Sequence, residues 1–519
     1  MPPRHARLLL PLILYALAAA AADQPQWGQR FTRNMVSDET NLPESFDPKT
    51  GKNIKWVAKL GTDSYATPTV AGGKVFIGAN NSVPRDKRHV GDRGVLMCLD
   101  EKDGSFCWQL VVPKRNDDLP IFRGDDIRML DWPGVGMCSP PTVEGDRVYM
   151  FTNRAEAVCL DIAGMANGND GPYLDESKHM TPAGQTPLEV GPKDADIIWL
   201  YDFPKELGVH QHDGPFASPL IHGRFLYLNS NNGLNSAHNK IPCPDAPNLV
   251  VLDKTTGRLL ARDGERLGES IVHSTWSAPA LGDVNGRTLI FFGGGNGVCY
   301  AFEALQEAPP EGQPATLKKV WQADCDPTGP KENTRQYQGN RKESPSNIKG
   351  TAVFYKNRVY VAAGGDVWWG KPKSWLKCID ATKTGDITAT ALVWSYALQR
   401  HCMSTPAITA DGLLFIGDCG RTLHCVDAET GKPYWTHLLN DQIWSSPLVA
   451  DGKVYIGSRR GDFCILAAAK EKKLLCSVEL GSPIAGGAVA ANGTLYVPTA
   501  THLYAVAVTQ SARIAKEEK

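Results

Sequence analysis

The stretch from Cys425 to Trp435 constrains the fold most, because weaker copies of it return along the chain. It reads as a strand ending at Asp427, a turn containing Gly431, and a second strand that carries Trp435. Glycine allows the positive φ that a tight turn of this kind requires. The related copies are Asp100–Gly104–Trp108, Asp253–Gly257–Ala261 and Asp380–Gly385–Trp394. Such repetition predicts a fold assembled from similar units rather than from unrelated domains.

Eight copies of the repeat can be traced, and each holds four short strand candidates. Alternation such as Val454-Tyr455-Ile456 is typical of strands with one buried face. Four short strands per unit, joined by turn residues, indicate the blades of a β-propeller. The copies begin near Ala66, Ser139, Ser218, Ala278, Thr351, Thr405, Ser446 and Pro483.

The two ends of the repeat region complement each other. The eighth copy stops after Leu503–Ala505, one strand short, whereas Asn53–Leu60 is a single outer strand with Trp56 in place. Pairing these two pieces would close the ring and remove its exposed sheet edges. We therefore predict an all-β, eight-bladed β-propeller of four-stranded blades, closed by the N-terminal strand.

Each position that recurs in the repeat has an expected structural role. Tryptophan suits the wedge between adjacent blades, and Asp with Gly suits the turn that joins the two outer strands. The chain has 13 cysteines, and several share one register, two residues before the repeat's Asp. We expect these to be small buried packing residues rather than disulfides. They are Cys98, Cys159, Cys378 and Cys425, with Cys464 in the same register.

The N-terminus has the pattern of a cleaved signal peptide, predicted for residues 1–22. Basic residues precede an apolar run of 15 residues, Leu8–Ala22, which is short for a membrane span of about 20. We expect a periplasmic or secreted protein with no transmembrane segment after cleavage. The remaining predicted parts are a surface segment at 23–52, the propeller at 53–508, and a disordered tail at 509–519.

The net charge of the chain argues against nucleic acid as a partner. With a formal net charge of −1, the chain offers no electrostatic reason to bind nucleic acid. Nothing in the sequence indicates an oligomeric state.

The repeat Ala-x-Asp-x-x-x-Gly-x-x-x-Trp resembles the tryptophan-docking repeat of quinoprotein-type (PQQ-like) eight-bladed β-propellers. The resemblance covers roughly residues 53–508, with Cys in place of the first Ala in most copies. It implies the propeller fold but carries over no common activity. The stretches Asp92–Cys98, Cys159–Asp170 and Leu289–Gly297 are more particularly similar to exported PQQ-like repeat proteins of planctomycete and verrucomicrobial bacteria.

Loops are unusually long on one face of the predicted ring. A repeat here averages about 57 residues, against about 40 for a typical blade. Most of the surplus falls in segments 80–94, 113–133, 229–247, 324–346 and 364–375, whereas the opposite face carries chiefly 163–196 and 303–317. Because propellers most often bind ligands where such loops surround the axial channel, we expect the ligand face there.

The residues just before each innermost strand should surround the mouth of that channel. Histidines and basic residues beside two tryptophans suit an anionic or carbohydrate-like ligand, although a solvated polar mouth would have the same composition. The register of the fifth blade leaves open whether Lys349 points into the channel. The ligand- or cofactor-binding candidates are His212, Asp213, His273, Trp276, Glu343, Lys349, His401 and Trp444.

Two functional classes fit this sequence. The first is an exported, non-catalytic propeller that binds or scaffolds a protein or glycan partner through its loop-rich face. The alternative is a PQQ-dependent dehydrogenase acting on an alcohol or sugar, for which the resemblance would imply PQQ and Ca²⁺ at the axis. Glu343, Asn347, Asp213 and Asp441 are residue types that such a site uses. Because vicinal cysteines and a haem-attachment motif are absent from the sequence, we favour the first class and assign no catalytic residue or cofactor.

Two further motifs could hold a cation. His210 and His212 could ligate a transition metal with His273 or His401, but the spacing fixes no geometry, and we assign no metal ligand. Asn167–Gly171, followed by Asp175 and Glu176, has the composition of a calcium loop without the EF-hand ligand positions. An ordinary polar loop is the preferred interpretation there.

Overall fold

The computed structural model describes residues 22–115, 119–125 and 131–508. Residues 1–21 of the predicted signal peptide and the tail at 509–519 lie outside these ranges. No helix within them is long and apolar enough to cross a membrane.

Strands account for nearly all of the regular structure. In the first half of the chain they are β1 (Ile54–Lys59), β2 (Thr69–Ala71), β3 (Lys74–Asn80), β4 (Arg93–Asp100), β5 (Phe106–Pro113), β6 (Thr142–Glu144), β7 (Arg147–Phe151), β8 (Glu156–Asp161), β9 (Ile197–Asp202), β10 (Leu220–His222), β11 (Phe225–Asn229), β12 (Leu249–Asp253), β13 (Leu259–Arg262), β14 (Ala280–Val284), β15 (Arg287–Gly293), β16 (Val298–Glu303), β17 (Ala315–Thr316) and β18 (Lys319–Asp324).

The second half continues with β19 (Ser346–Asn347), β20 (Val353–Tyr355), β21 (Arg358–Gly365), β22 (Ser374–Asp380), β23 (Gly385–Asp386), β24 (Leu392–Ala397), β25 (Ala407–Ile408), β26 (Leu413–Gly417), β27 (Thr422–Asp427), β28 (Pro433–Leu438), β29 (Leu448–Ala450), β30 (Lys453–Gly457), β31 (Asp462–Ala467), β32 (Leu474–Glu479), β33 (Val489–Ala491), β34 (Thr494–Pro498) and β35 (His502–Val506). Within the described ranges, two short α-helices, α1 (Glu176–His179) and α2 (Phe203–Leu207), lie in loops. Single 3-10 turns occur at Pro120–Phe122, Gly164–Asn167, Leu267–Ser270 and Thr334–Tyr337.

These strands form eight sheets, which confirms the predicted eight-bladed β-propeller. From the innermost strand outwards the blades are β2–β5, β6–β9, β10–β13, β14-β15-β16-β18, β19/β20-β21-β22-β24, β25–β28, β29–β32 and β33-β34-β35-β1. The third and fourth blades each gain a short parallel outer strand, β17 and β23 respectively. In the fifth blade the innermost strand is interrupted, because both β19 and β20 pair with β21.

The ring closes as the sequence predicts. Strand β1 pairs antiparallel with β35, and Trp56 lies opposite Ala505. The N-terminal strand therefore completes the eighth blade and leaves no open edge at the junction.

Six tryptophans join neighbouring blades through the same hydrogen bond. In each case the indole Nε1 donates to a backbone carbonyl in the turn after the third strand of the next blade. The pairs are Trp56 with Glu101 (3.0 Å), Trp108 with Ile162 (3.0 Å), Trp199 with Lys254 (2.9 Å), Trp321 with Ala381 (3.2 Å), Trp394 with Ala428 (3.0 Å) and Trp435 with Ala469 (2.9 Å). The tryptophans thus pack between blades, as expected, and also form a hydrogen bond to the next blade.

Small residues of the repeat accommodate these indoles. Gly431 has a φ of 72°, and a Cβ added there would lie 2.7 Å from the Trp394 ring. Across the strand pair, Cys425 lies opposite Trp435. The repeat glycine therefore serves both the turn and the face on which the preceding blade's tryptophan packs. All thirteen cysteines fall within the described ranges, and none forms a disulfide.

The apolar core lies between blades rather than at the ring's centre. Buried apolar side chains of the described residues form eight clusters, and each contains residues of two adjacent blades. The ring's stability thus comes from burial at the blade junctions, as expected for a repeat fold.

The segment before β1 is bound more closely to the ring than a surface segment would be. Residues 22–36 make hydrogen bonds to the innermost strands, or to residues adjoining them, in all eight blades. Examples are Val70 N to Gln24 O (3.0 Å), Val143 N to Pro25 O (2.7 Å), Leu281 N to Phe31 O (2.7 Å), Phe354 N to Thr32 O (3.2 Å), Ile408 N to Asn34 Oδ1 (2.8 Å), Val449 N to Met35 O (2.9 Å) and Asn492 N to Ala22 O (3.2 Å). These contacts place the segment inside the ring, against the innermost strands.

Arg33 fixes this segment. Its fully buried guanidinium donates to the carbonyl oxygens of Pro219 (2.6 Å), Pro279 (3.0 Å) and Trp27 (3.0 Å). Burial lowers the pKa of Arg33 to about 9. The segment therefore closes one end of the axial channel, and access remains from the loop-rich face.

The tryptophan–glycine contact generates a stability prediction. Gly431→Ala should lower the free energy of unfolding by about 2–5 kcal/mol, because it adds a steric conflict with Trp394 to the cost of a positive φ. Gly385→Ala is the matched control, since Gly385 has a φ of 83° and nothing within 4 Å of an added Cβ. It should cost about 1–2 kcal/mol. Denaturant unfolding measures both, and equal losses would contradict this packing role.

Candidate functional site

Side chains from the third, fourth and fifth blades converge at the open end of the channel. We call this group the axial site. His212 and Asp213 precede β10, His273 and Trp276 precede β14, and Lys349 lies in the break between β19 and β20. His238 comes from the β11–β12 loop, and Asp366, Trp368 and Trp369 come from the β21–β22 loop. Loops therefore provide the side chains of the site, and the blades fix the distances between the ends of these loops.

The Asp366 carboxylate lies at the centre of the site and is fully buried. Its Oδ2 is 3.1 Å from His273 Nδ1, 3.0 Å from Lys349 Nζ and 3.2 Å from Asn347 Nδ2. Its Oδ1 accepts hydrogen bonds from the backbone N–H groups of Trp368 (2.9 Å) and Trp369 (3.2 Å). Burial raises the pKa of Asp366, but Lys349 and His273 lower it more, so the pKa ends well below its ordinary value. The carboxylate is therefore ionised.

Lys349 balances this charge from an aromatic enclosure. Its Nζ lies 4.0 Å from the ring centroid of Trp276 and 5.0 Å from that of Trp368. Cation–π attraction of this kind is strongest where the ammonium is shielded from water. Burial lowers the pKa of Lys349, and Asp366 partly offsets the shift. Although Nζ is close to Asp366, it makes no hydrogen bond of suitable geometry among the described residues.

His212 and His273 face each other through their Nε2 atoms, which are 2.9 Å apart. On the far side of each ring, His212 Nδ1 lies 2.8 Å from the carbonyl oxygen of Leu234, and His273 Nδ1 contacts Asp366. Burial lowers the pKa of His273 to about 4 and that of His212 well below its ordinary value. Both imidazoles are therefore neutral near pH 7.

Asp213 and His238 complete this group. Asp213 has a φ of 61°, a strained conformation for a non-glycine residue, and its carboxylate oxygens lie 3.6 Å from His212 Nε2 and 3.6 Å from His273 Nε2. Burial raises the pKa of Asp213 to about 7. His238 is partly exposed, and its ring centroid is 4.7 Å from that of His212. Each of the four side chains offers a potential metal-ligand atom, and these atoms all lie within 4.8 Å of one another.

An aromatic cavity of about 150 Å³ adjoins the axial site. Its main walls are Trp27, Tyr65, Phe216, Trp276, Lys349 and Trp444. Trp27 belongs to the segment that closes the channel, whereas Trp276 and Lys349 belong to the axial site. Arg459 places its guanidinium 4.5 Å from the Trp444 ring centroid and 5.4 Å from that of Tyr65. The cavity therefore has flat apolar walls and one basic lining residue, Lys349, while Arg459 packs against two of the wall rings from outside the lining.

Most of the sequence-predicted residues come together here. His212, Asp213, His273, Trp276 and Lys349 belong to the axial site. Trp444 lines the cavity, and its ring lies 6.2 Å from that of Trp368. His401 lies beside the site, with Nδ1 2.9 Å from the Gly365 carbonyl oxygen and Nε2 without a partner in the described ranges. Glu343 is exposed and takes no part in the site.

Four members of the axial site were not singled out from the sequence: His238, Asp366, Trp368 and Trp369. They lie in segments 229–247 and 364–375, which were recognised only as long loops. The adjacent tryptophans at 368 and 369 were the available signal, because an exposed polar loop has little use for two indoles.

The residues present do not fit PQQ with Ca²⁺. Cofactor-sized ligands require pockets of roughly 300–1,000 Å³, and this cavity has about 150 Å³. Of the residue types that such a site would use, Glu343 is exposed, and the Asn347 amide donates to Asp366 instead of facing a cation with its oxygen. Asp441 Oδ1 accepts a backbone hydrogen bond from Gln442.

Other predicted cation ligands lie apart from the axial site. His210 Nε2 is 3.0 Å from Asp125 Oδ2, so this histidine pairs with a carboxylate rather than joining His212. In the loop with calcium-like composition, Asp170 brings a carboxylate oxygen within 4.8 Å of carboxylate oxygens of Asp161 and Asp196. Glu176 instead accepts a hydrogen bond from the Ile197 backbone N–H at 3.3 Å.

Comparison with known proteins supports the fold. Residues 372–515 match the family model described as outer membrane protein assembly factor BamB. Similar solved structures include BamB from Moraxella catarrhalis, with 13% identity, a TM-score of 0.51, and coverage of 88% of this chain and 97% of that one. No curated protein matches the sequence.

Two quinoprotein structures show the same likeness. One is the quinohemoprotein alcohol dehydrogenase ADHIIG from Pseudomonas putida HK5, with 12% identity, a TM-score of 0.59, and coverage of 94% of this chain and 80% of that one. The other is a europium-containing methanol dehydrogenase, with 12% identity, a TM-score of 0.56, and coverage of 94% and 98%. An assembly factor and dehydrogenases thus share this fold, so the fold alone does not select between the two functional classes.

The raised pKa of Asp213 predicts a pH-dependent stability difference. Between about pH 4 and pH 7 the folded protein holds a proton on Asp213 that the unfolded chain has released. The contribution of Asp213 to the free energy of unfolding therefore falls as pH rises through this window. Asp213→Asn removes that dependence. We therefore expect the free energy of unfolding of Asp213→Asn, minus that of the wild type, to rise by up to about 2 kcal/mol from pH 5 to pH 7 in chelator-containing buffer.

Denaturant unfolding at several pH values measures this difference. Asp38→Asn, at an exposed carboxylate of the N-terminal segment, is the control and should track the wild type. A difference for Asp213→Asn that does not change with pH would contradict the burial of this carboxyl group.

Proposed function

We propose that this chain, whose propeller resembles the PQQ-like kind, is a non-catalytic binding protein that receives one ring of a glycan in its axial cavity. The loop-rich face is its binding face, and recognition takes place at the open end of the channel. We further propose that it works in the periplasm or outside the cell, as the N-terminal signal pattern predicts.

The dimensions and walls of the cavity support a single-ring ligand. A cavity of about 150 Å³ in another protein holds benzene, so this cavity suits the ring of a single sugar unit with its hydroxyl groups directed to the open mouth. Trp276 and Trp444 offer flat surfaces for the apolar faces of a sugar ring. Since the other end of the channel is closed, the ligand enters end-on, as the terminal unit of a glycan would.

The observation that carries this proposal is an unpartnered donor in the cavity wall. Trp276 Nε1 is buried and has no hydrogen-bond partner among the described residues. A buried N–H left unpaired costs about 1–3 kcal/mol, so such a group calls for an acceptor. We propose that a sugar hydroxyl oxygen supplies one once a small turn of the Trp276 ring brings its N–H to the cavity surface.

Asp366 is not placed to act as the base of an oxidising site. An oxidising site requires a carboxylate that is free to take a proton from the substrate. Here the Asp366 carboxylate is occupied by His273, Lys349 and two backbone N–H groups. Its low pKa makes it a weak base.

Trp276→Phe tests the role of the indole donor. The substitution keeps an aromatic wall but removes the N–H, so it should weaken saccharide binding by about 2–10-fold while the protein stays folded, with a small loss of thermal stability because the ring also encloses Lys349. Isothermal titration with neutral hexoses, N-acetylated sugars, uronic acids and their short oligomers measures the change. Trp375→Phe is the matched control, because the Trp375 ring contacts Lys371 and Lys377 outside the cavity.

Two results would overturn the proposal. One is no measurable binding of any of these saccharides to the wild-type protein at millimolar concentration. The other is an affinity that Trp276→Phe leaves unchanged. A quinone absorption spectrum together with dye-linked oxidation of alcohols or sugars after addition of PQQ and Ca²⁺ would favour the dehydrogenase class instead.

A further inference from the structure

The proton positions on His212 and His273 follow from the partners of their Nδ1 atoms. The Leu234 carbonyl oxygen and the ionised Asp366 carboxylate can only accept hydrogen bonds, so each Nδ1 carries a hydrogen. Burial of both side chains favours the uncharged imidazole, which has one N–H group. Both Nε2 atoms therefore present unprotonated lone pairs.

These two lone pairs point at each other across 2.9 Å. Without a hydrogen between them the contact is repulsive, because two acceptors face one another. The Asp213 carboxyl group places one oxygen 3.6 Å from each of the two nitrogens, so a third potential ligand faces the same point. A proton could bridge the rings only by charging one of two buried imidazoles, which burial opposes. The geometry instead calls for a metal cation.

We infer that the axial site binds one divalent first-row transition-metal ion, with Zn²⁺ as the type case, through His212 Nε2, His273 Nε2 and the Asp213 carboxylate. His238 is the fourth ligand. Imidazole nitrogens with one carboxylate are ligands that such ions favour. Zinc–nitrogen bonds of 2.0–2.1 Å set tetrahedral ligands about 3.3 Å apart, so binding needs the two rings to separate by about 0.4 Å.

The outer contacts of the two rings are those of metal-ligating histidines. Such rings usually donate their second N–H to a backbone carbonyl or a carboxylate, which fixes the tautomer and the ring orientation. His212 uses the Leu234 carbonyl, and His273 uses Asp366. Asp366 is itself held by Asn347, by Lys349 and by two backbone N–H groups. The structure around the proposed ligands is thus already in place.

Charge balance favours the same conclusion. Lys349 lies 3.0 Å from Asp366 and compensates its charge, whereas no cation lies as close to Asp213 among the described residues. A divalent ion would take the place of the proton that burial favours on Asp213 and would then compensate the carboxylate directly. Because Asp213 and His238 are the more exposed members of the group, they provide the side from which an ion can enter.

This inference is independent of the proposed glycan ligand. Metal binding can be measured without any saccharide, and saccharide binding can be measured in the presence of a chelator. Failure of one proposal therefore leaves the other standing.

Metal retention by the full chain is the test. Chelator-treated protein is incubated with Zn²⁺ and desalted, and the bound metal is measured by mass spectrometry. In parallel, Cu²⁺ is added and its electron paramagnetic resonance spectrum is examined for coupling to imidazole nitrogen. His212→Gln and His273→Gln remove one ligand each. His437→Gln, on outer strand β28, is the control.

The wild-type protein and His437→Gln should each retain about one Zn²⁺ per chain and show coupling to at least two nitrogens. His212→Gln and His273→Gln should bind Zn²⁺ at least 100-fold more weakly. Asp213→Asn and His238→Gln change partly exposed side chains and should weaken Zn²⁺ binding at least tenfold. These two variants provide the test if the buried histidine variants fail to fold. Failure of the wild type to retain Zn²⁺, or equal retention by the folded ligand variants, would overturn the inference.

Discussion

The buried carboxylate of Asp366 is the interaction on which the axial site depends. It joins His273 of the fourth blade to Lys349 and to the β21–β22 loop of the fifth blade. Removing its charge would leave the Lys349 ammonium buried without a counterion, a loss of about 3–5 kcal/mol. The same carboxylate fixes the tautomer of His273, and through it the direction of the lone pair that meets His212.

Scaffold and site occupy separate parts of the molecule. Indole hydrogen bonds and small residues on the outer strands hold the blades together, and Arg33 anchors the segment that closes one end of the axis. The open end is built from loops, which can change without altering the blades. This separation explains how an assembly factor and dehydrogenases share the fold, and it means that function here must be argued from the loops.

The fold could be predicted from the sequence because Asp, Gly and Trp recur at fixed spacing and the orphan strand containing Trp56 matches the missing strand of the eighth blade. His212, His273 and Lys349 were found because each precedes, or interrupts, an innermost strand. Asp366 was not, since its partner His273 is 93 residues away and their meeting depends on how two loops fold. Glu343 illustrates the converse: its position before an innermost strand suggested the channel, yet the loop leaves it exposed.

The central claim, that two buried neutral imidazoles direct their Nε2 lone pairs at one point, can be measured most directly by nitrogen-15 magnetic resonance of histidine-labelled, chelator-treated protein. Assignment would use the His212→Gln and His273→Gln variants. The account predicts that both rings are Nδ1–H tautomers at pH 7 and that both Nε2 resonances shift on addition of Zn²⁺. A proton on Nε2 of either ring, or an imidazolium, would contradict it.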